Sequence, residues 1–360
     1  MMNITLKKTL KYLSVAGVAY FAVNTLTGIA FAKNTSGMDA TPNAQMQAVL
    51  NELQKLGPKP LSTLSADEAR KQPTPADAVK ALLKKKNGNL LDPKPEEVGN
   101  VENKSIDGPG GPIPIRIYTP KGNGPFPVIV YYHGGGWVIA DLDTYDSSPR
   151  ALVNATNAVV VSSHYRQGPE HKFPAAHDDA LAAYKWAIEH TKELNGDPKR
   201  IAVVGESAGG NLAASVSVLA RERHMPLPIY QVLVYPIAGY NFETPSYIEN
   251  ANAKPLSRDA MKWFFTQYLN SPEDGQNHLI SLVNEKNLKG LPPTTIITDQ
   301  IDPLRSEGKD YADKLQEAGV NVRYKNYDGV THEFFGMGAV LDKARQAQQF
   351  AAEGLKKAFQ

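Results

Sequence analysis

Short Val- and Ile-rich runs recur along this chain, and stretches with helical spacing separate several of them. The runs lie at 128–132, 158–162, 201–204, 229–235, 294–298 and 320–324. Nearly continuous apolar runs of this kind are typical of strands that are buried on both faces of a parallel sheet. The intervening helical stretches lie at 180–194, 208–223 and 306–318. The alternation therefore predicts an α/β fold, with a mostly parallel central sheet and helices on both faces.

Two regions depart from this alternation. Residues 33–95 carry helical spacing, for example at Val49 and Leu53, and are predicted to be an N-terminal helical segment. Residues 237–291 contain no strand-like run but include an aromatic helical stretch. Ligands in open α/β sheets bind at the carboxyl ends of the strands. We therefore expect both regions to form a helical cap there, with 96–360 as the α/β domain and 237–291 as an insertion in it.

The N-terminus has the features of an export signal. Three lysines among the first eleven residues precede an apolar stretch at 12–32, which ends in Ala30-Phe31-Ala32. A basic start, an apolar stretch and a small-x-small ending are typical of a cleaved signal peptide. Residues 1–32 are therefore predicted to be removed, and the protein to be exported to the periplasm or secreted, without stable membrane insertion. The alternative is an N-terminal membrane anchor, because 12–32 is long enough to span a bilayer.

Composition argues against several classes of partner and cofactor. Lys and Arg number 39 against 37 Asp and Glu, which gives a net charge of +2. A nucleic-acid partner is not expected, because such surfaces are strongly basic. The chain has no cysteine, so disulfides, thiolate metal sites and cysteine nucleophiles are excluded. No two histidines have the H-x-x-x-H spacing of a zinc helix. The sequence therefore predicts neither a metal nor a cofactor.

A G-x-S-x-G sequence, Gly205-Glu206-Ser207-Ala208-Gly209, lies directly between the predicted strand 201–204 and the helix that begins near 208. A serine on such a strand-turn-helix is typical of a hydrolase nucleophile, since the sharp turn exposes the hydroxyl and the glycines avoid collisions. The alternative is a glycine-rich turn in which the serine only caps the helix. The context favours Ser207 as a nucleophile.

A serine hydroxyl needs a base that accepts its proton. In hydrolases with this turn the order along the chain is Ser, then Asp or Glu, then His. Of the eight histidines, His332 alone lies beyond the last predicted strand, so it is the candidate base. Its acidic partner should follow the strand 294–298, where Asp299 and Asp302 both qualify and Glu307 is a more distant third.

Three consecutive glycines in His133-Gly134-Gly135-Gly136 follow the predicted strand 128–132. Glycines here let bare backbone N–H groups approach an oxyanion that develops on the substrate. A phosphate-binding loop is the competing interpretation. It is disfavoured because no Gly-Lys-Ser/Thr follows and the G-x-G-x-x-G spacing is absent.

Together these motifs resemble those of the bacterial hormone-sensitive-lipase-like esterases, a branch of the α/β-hydrolases. The resemblance covers roughly 112–335 and includes His133-Gly134-Gly135-Gly136-Trp137, Tyr165-Arg166 with Pro169-Glu170, Phe173-Pro174-Ala175-Ala176, Gly205-Glu206-Ser207-Ala208-Gly209-Gly210-Asn211, Asp302-Pro303-Leu304-Arg305 and His332-Glu333-Phe334. It implies hydrolysis of small-molecule esters with short to medium acyl chains through an acyl-serine intermediate, without a cofactor. It also implies Asp302 as the acidic partner, and an oxyanion hole made by Gly134, Gly135 and the N–H of Ala208.

The chain departs from the family pattern outside the catalytic positions. His164 replaces the usual acidic residue before Tyr-Arg, Gln167-Gly168 replaces Leu-Ala, and Ala140 replaces a glycine. These changes bear on substrate fit. Two alternative functions remain: an amidase or deacetylase with the same three groups, and a ligand-binding homologue without catalysis, because a fold does not fix a function. The oligomeric state is open, and a homodimer is one option.

Overall fold

A computed structural model describes residues 40–88 and 92–360. The predicted signal peptide at 1–32 lies outside the described residues. No helix within the described ranges is both long and apolar enough to cross a membrane.

The described chain is built around an eight-stranded sheet. Its strands are β1 (Asn100–Gly108), β2 (Gly111–Thr119), β3 (Phe126–Tyr132), β4 (Val159–Ser163), β5 (Gly196–Glu206), β6 (Gln231–Val234), β7 (Thr294–Ile301) and β8 (Val322–Thr331). Their order across the sheet is β1-β2-β4-β3-β5-β6-β7-β8. β2 runs antiparallel to both of its neighbours, and every other adjacent pair is parallel. The predicted mostly parallel sheet is confirmed.

Helices cover both faces of this sheet. They are α1 (Ala44–Leu56), α2 (Ala66–Ala69), α3 (Pro75–Lys86), α4 (Ser147–Thr156), α5 (Ala175–Glu189), α6 (Ala208–Glu222), α7 (Pro245–Glu249), α8 (Arg258–Tyr268), α9 (Arg305–Glu317) and α10 (Asp342–Phe359). Side chains alternate between the faces of a strand. In β3, Val128 and Val130 pack in one core with α5, α6 and α9, while Ile129 and Tyr131 pack in a second core with α4 and α10. This two-sided burial explains why the strands read as continuous apolar runs.

Hydrogen-bonded caps define the short N-terminal helices. Ser65 and Glu68 form a capping box at the start of α2, and Thr74 and Asp77 form another at the start of α3. Each box satisfies backbone N–H groups that have no partner inside the helix. Residues 33–95 were predicted to be helical, and α1, α2 and α3 lie in the described part of that range.

The N-terminal helices and the insertion contact each other above the sheet. In α8, the Trp263 indole N–H donates to the carbonyl of Leu64, 3.0 Å away. Arg70, which follows α2, donates to the carbonyls of Val138 at 3.0 Å and Gly168 at 2.8 Å. Because these carbonyls belong to loops of the α/β domain, Arg70 joins the cap to the loops that surround the candidate site.

Candidate active site

Ser207 occupies a sharp turn between the end of β5 and the start of α6. Its backbone has φ 57° and ψ −120°, a conformation that side chains rarely adopt and that stores strain. A Cβ on Gly205 would lie 2.0 Å from the carbonyl oxygen of Gly209, and one on Gly209 would lie 2.0 Å from that of Tyr132. The turn therefore tolerates only glycine at both positions.

Three side chains from distant parts of the chain meet at this turn. Ser207 Oγ lies 2.9 Å from His332 Nε2, and His332 Nδ1 lies 2.7 Å from Asp302 Oδ2. Ser207, His332 and Asp302 are 4%, 3% and 0% exposed. The second oxygen of Asp302, Oδ1, accepts the N–H of Leu304 at 2.8 Å. The structure thus places the three sequence-predicted side chains in one hydrogen-bonded series.

The two other candidate acids have different surroundings. Asp299 is fully buried, and neither of its oxygens has a hydrogen-bond partner among the described residues. Burial and the neighbouring charge of Asp302 raise the pKa of Asp299 well above its usual range. Glu307 accepts the N–H of Ala238 at 2.9 Å. Of the three, only Asp302 hydrogen-bonds the imidazole.

The glycine loop after β3 presents unused backbone donors. Within the described chain, the N–H groups of Gly134, Gly135 and Ala208 donate to no protein acceptor. A Cβ on Gly134 would lie 2.1 Å from the Tyr145 hydroxyl oxygen. Gly135 has φ 98°, a backbone conformation that favours glycine. These N–H groups are therefore available to an oxyanion beside Ser207.

His133 fixes this loop in place. Burial and the neighbouring His164 lower the pKa of His133 to about 3, so its ring is neutral. Nδ1 lies 2.7 Å from the Gly134 carbonyl oxygen and donates to it, which leaves Nε2 to accept from His164 Nδ1 at 3.1 Å. Tyr165 donates its hydroxyl proton to the His133 carbonyl at 2.8 Å. His164, which replaces the usual acidic residue before Tyr-Arg, therefore supports the glycine loop through its hydrogen bond to His133.

A cavity of about 420 Å³ opens over Ser207. Its catalytic side includes Gly135, Ser207 and His332, and its cap side includes Leu61 and Phe264. The cap elements therefore form one wall of a space that is large enough for a small-molecule substrate.

Comparisons with known proteins identify the family of this chain. The α/β-hydrolase fold family matches residues 129–336. Carboxylesterase NlhH of Mycobacterium tuberculosis is 40% identical over 253 residues, which cover 69% of this chain and 79% of that protein. Ethyl acetate hydrolase of Pseudomonas putida is 31% identical over 303 residues, covering 83% and 92%. The hyperthermophilic esterase from the archaeon Pyrobaculum calidifontis superimposes with a TM-score of 0.78 at 36% identity, over 88% of this chain and 99% of that chain.

The chain belongs to the α/β-hydrolases, in the hormone-sensitive-lipase-like branch. In this α/β-hydrolase the imidazole has the electrostatic surroundings of a base. Burial lowers the pKa of His332. The charge and hydrogen bond of Asp302, together with the charges of Glu333 and Glu206, raise it by more. The net effect is a pKa above the ordinary value of histidine. The ring therefore holds a proton more readily than a free imidazole.

Glu206, beside the nucleophile, supports the turn. It is buried, and it accepts the Tyr131 hydroxyl on Oε1 at 2.5 Å and the Tyr235 hydroxyl on Oε2. Burial raises its pKa to about 7 even though both tyrosines stabilise the ionised form. These contacts give Glu206 a structural role in the turn that carries Ser207.

Among the described residues of this α/β-hydrolase, two groups of side chains have the spacing of metal ligands. Asp299, Asp302 and His332 form one group, and Glu222, His278 and Glu285 form the other. In the first, the Asp302 to His332 hydrogen bond already uses the nitrogen that a metal would take. In the second, the Arg221 guanidinium lies 3.4 Å from Glu285 and would repel a cation. Neither group provides the open coordination that a catalytic metal needs.

Two residues beside the nucleophile were absent from the predicted site. Tyr145 precedes α4, and Glu333 directly follows His332; both line the cavity over Ser207. Tyr145 donates its hydroxyl proton to Glu333 Oε1 at 2.6 Å. Glu333 could have been noted from its position next to the base. Tyr145 carries no local sequence signal, because only the folded chain brings it to the site.

Proposed function

We propose that this α/β-hydrolase cleaves carboxylic esters with short to medium acyl chains, with Ser207 as nucleophile, His332 as base and Asp302 as its partner. The observation that carries the proposal is the hydrogen-bonded series Ser207–His332–Asp302 beneath an open cavity. The relatives named as carboxylesterase and ethyl acetate hydrolase support the substrate class. No cofactor takes part in the proposed reaction.

The reaction begins when the ester carbonyl lies against the free N–H groups of Gly134, Gly135 and Ala208. Ser207 Oγ attacks the carbonyl carbon while His332 Nε2 takes the hydroxyl proton, and the carbonyl oxygen becomes an oxyanion. Each well-placed donor to such an oxyanion accelerates acyl transfer by about a hundred- to a thousandfold. Asp302 keeps the proton on Nδ1 and stabilises the imidazolium.

Collapse of this intermediate breaks the bond to the alcohol oxygen. His332 returns its proton to that oxygen, so the alcohol leaves and the acyl group remains on Ser207. A water molecule then gives a proton to His332 and attacks the acyl carbon. A second collapse returns that proton to Ser207 Oγ and releases the carboxylic acid.

Replacing Ser207 by Ala tests the proposal. We expect turnover of p-nitrophenyl butyrate to fall by about a millionfold, as in other serine hydrolases, because no nucleophile remains. A fluorophosphonate probe should label the wild type and not S207A. Ser105, on the exposed side of β1, provides the matched control: S105A should keep activity and labelling. An active or labelled S207A would refute the assignment.

An amidase or deacetylase would use the same three side chains and differ in the group that leaves. Purified wild type is therefore compared on p-nitrophenyl acetate and p-nitroacetanilide, which share the acetyl group. We expect the ester to be cleaved far faster, and a faster anilide would favour the amidase. Retention of both Ser207 and His332 argues against a ligand-binding homologue without catalysis.

Export of the protein stays a prediction, since the leader lies outside the described residues. We propose cleavage after Ala32 and a mature protein that begins at Lys33. N-terminal sequencing of material from the periplasm or the medium checks this. Recovery of the uncleaved chain in the membrane fraction would favour the anchor instead.

A further inference from the structure

Glu333 brings a carboxylate to the catalytic cavity. Its backbone is left-handed, with φ 73°, and its side chain is 23% exposed. Oε1 lies 3.9 Å from His332 Nε2, the nitrogen that faces Ser207. The hydroxyl of Tyr145 holds this oxygen at 2.6 Å. The carboxylate is therefore fixed beside the proton-transferring atom of the proposed base.

Glu333 differs from the other acid that lines the cavity. Asp141 Oδ1 accepts the N–H groups of Asp143 at 3.0 Å and Thr144 at 2.8 Å, together with the Thr144 hydroxyl. No described residue donates a hydrogen bond to Glu333 Oε2 or to Asp141 Oδ2, but Asp141 is exposed to solvent whereas Glu333 is only partly exposed. Glu333 therefore keeps an acceptor open to a ligand.

The cations on the cavity wall leave this acceptor free. Arg70 is paired with Glu170 at 2.7 Å. Lys59 and Lys254 line the cavity from exposed segments of the cap, and neither forms an ion pair with Glu333. Apart from the imidazole of His332, 3.9 Å away, no cationic side chain among the described residues pairs with Glu333.

The position of Glu333 relative to the substrate rests on the proposed function. In that reaction His332 Nε2 gives its proton to the departing alcohol oxygen, which must come within about 3 Å of the nitrogen. Because Glu333 Oε1 lies 3.9 Å from the same nitrogen, the carboxylate lies beside the alcohol part of the ester. A charged group on the alcohol, two carbons beyond the ester oxygen, can therefore reach the Glu333 carboxylate.

We infer that Glu333, held by Tyr145, is a specificity-determining residue that selects esters whose alcohol part carries a positive charge about two carbons from the ester oxygen. Amino-alcohol esters of the choline type have this chemistry. The carboxylate attracts the charge across a few ångströms in a cavity that is partly shielded from water, where charge pairs are stronger than on an open surface.

The test compares two esters of the same shape. Acetylcholine carries a quaternary nitrogen where 3,3-dimethylbutyl acetate carries a carbon, so the ratio of their kcat/KM values isolates the charge. Because burial raises the pKa of Glu333 above that of an ordinary glutamate, assays run at about pH 8, which favours its ionised form. We expect the wild type to favour acetylcholine by about tenfold, as one partly shielded charge pair would give. E333Q should reduce the ratio to about one.

The ratio is the readout because Glu333 is close to His332, and its loss will change both absolute rates. D141N is the matched control. It removes a charge from the same cavity while the Asn oxygen can still accept the backbone N–H groups, and it should leave the ratio near the wild-type value. A wild-type ratio near one, or an E333Q ratio that equals the wild type, would overturn the inference.

Two further measurements distinguish failure of this inference from failure of the proposed function. If E333Q does not fold, inhibition of the wild type by choline and by 3,3-dimethylbutanol gives the same comparison, and choline should bind more tightly. Equal inhibition by the two alcohols would count against Glu333. Hydrolysis of the neutral ester by the wild type, and its loss in S207A, reports on the proposed function. A normal neutral rate with no charge preference therefore removes this inference and leaves the proposed function in place.

Discussion

Replacing Asp302 by Asn exchanges one oxygen for an amide nitrogen and changes which atoms of His332 can carry the proton. Asp302 Oδ1 accepts the N–H of Leu304 at 2.8 Å, and Oδ2 faces His332 Nδ1 at 2.7 Å. The Asn carbonyl oxygen must stay on the Leu304 N–H, because an amide NH₂ there would face another donor. The NH₂ then points at Nδ1 and donates to it.

This orientation puts the imidazole in the wrong tautomer. With Nδ1 as an acceptor, the neutral ring carries its proton on Nε2, and Nε2 then faces Ser207 as a donor instead of a base. The same change in other serine hydrolases lowers kcat by about 10⁴-fold, which corresponds to about 5 kcal/mol of transition-state free energy. We expect a loss of this size in kcat and little change in KM, since Asp302 is fully buried and does not line the cavity.

The assay is steady-state hydrolysis of p-nitrophenyl butyrate, with circular dichroism to verify folding. Asp299→Asn is the matched control, because it makes the same replacement three residues earlier in a side chain that does not hydrogen-bond His332. Burial and Asp302 raise the pKa of Asp299, so a neutral amide is a smaller electrostatic change at this position than at Asp302. D299N should retain kcat within a few fold. A D302N enzyme within tenfold of wild type, or an equal loss in D299N, would refute the tautomer reasoning.

Two more predictions concern pH and the cap. Because the pKa of His332 is raised and its protonated ring cannot accept the Ser207 proton, kcat/KM should fall as pH drops through a pKa above about 6.5. An acid limb at or below that value would contradict the raised pKa of His332. R70M removes donors to the Val138 and Gly168 carbonyls. It should lower the free energy of unfolding, measured by urea titration, by about 1–3 kcal/mol. An unchanged urea midpoint would show that Arg70 does not join the cap to the α/β domain.

Most of the strands that the sequence revealed are buried on both faces, whereas β8, predicted from the run at 320–324, is partly exposed. β1 escaped prediction because residues 100–105 are exposed and all except Val101 are polar, as suits an edge strand. α10 was also missed, since Ala344, Ala347 and Ala351 make up much of its buried face and alanine gives a weak apolar signal. α5 begins at Ala175, five residues before the predicted helix. These differences arise where packing or chain geometry, not local pattern, determines the element.

Some residues of the candidate site could be found from the sequence, and others could not. Ser207 and His332 could be found because a glycine-bounded turn and the order of groups along the chain are local or topological signals. Asp299 and Asp302 could not be separated from spacing alone, because they are three residues apart and only the turn decides which carboxylate faces the imidazole. The contact of Tyr145 with Glu333 joins positions 188 residues apart, and pattern reasoning contains nothing about such a pair.

The hydrogen bonds around His332 also decide where negative charge is placed. Asp302 receives donors on both oxygens, whereas Asp299 receives none from the described residues, so burial favours the neutral form of Asp299. Glu206 has two tyrosine donors, yet burial still raises its pKa to about 7. A buried imidazolium is most stable with a charged partner in direct contact. The geometry supplies that partner on Nδ1, which leaves Nε2 free to exchange a proton with Ser207.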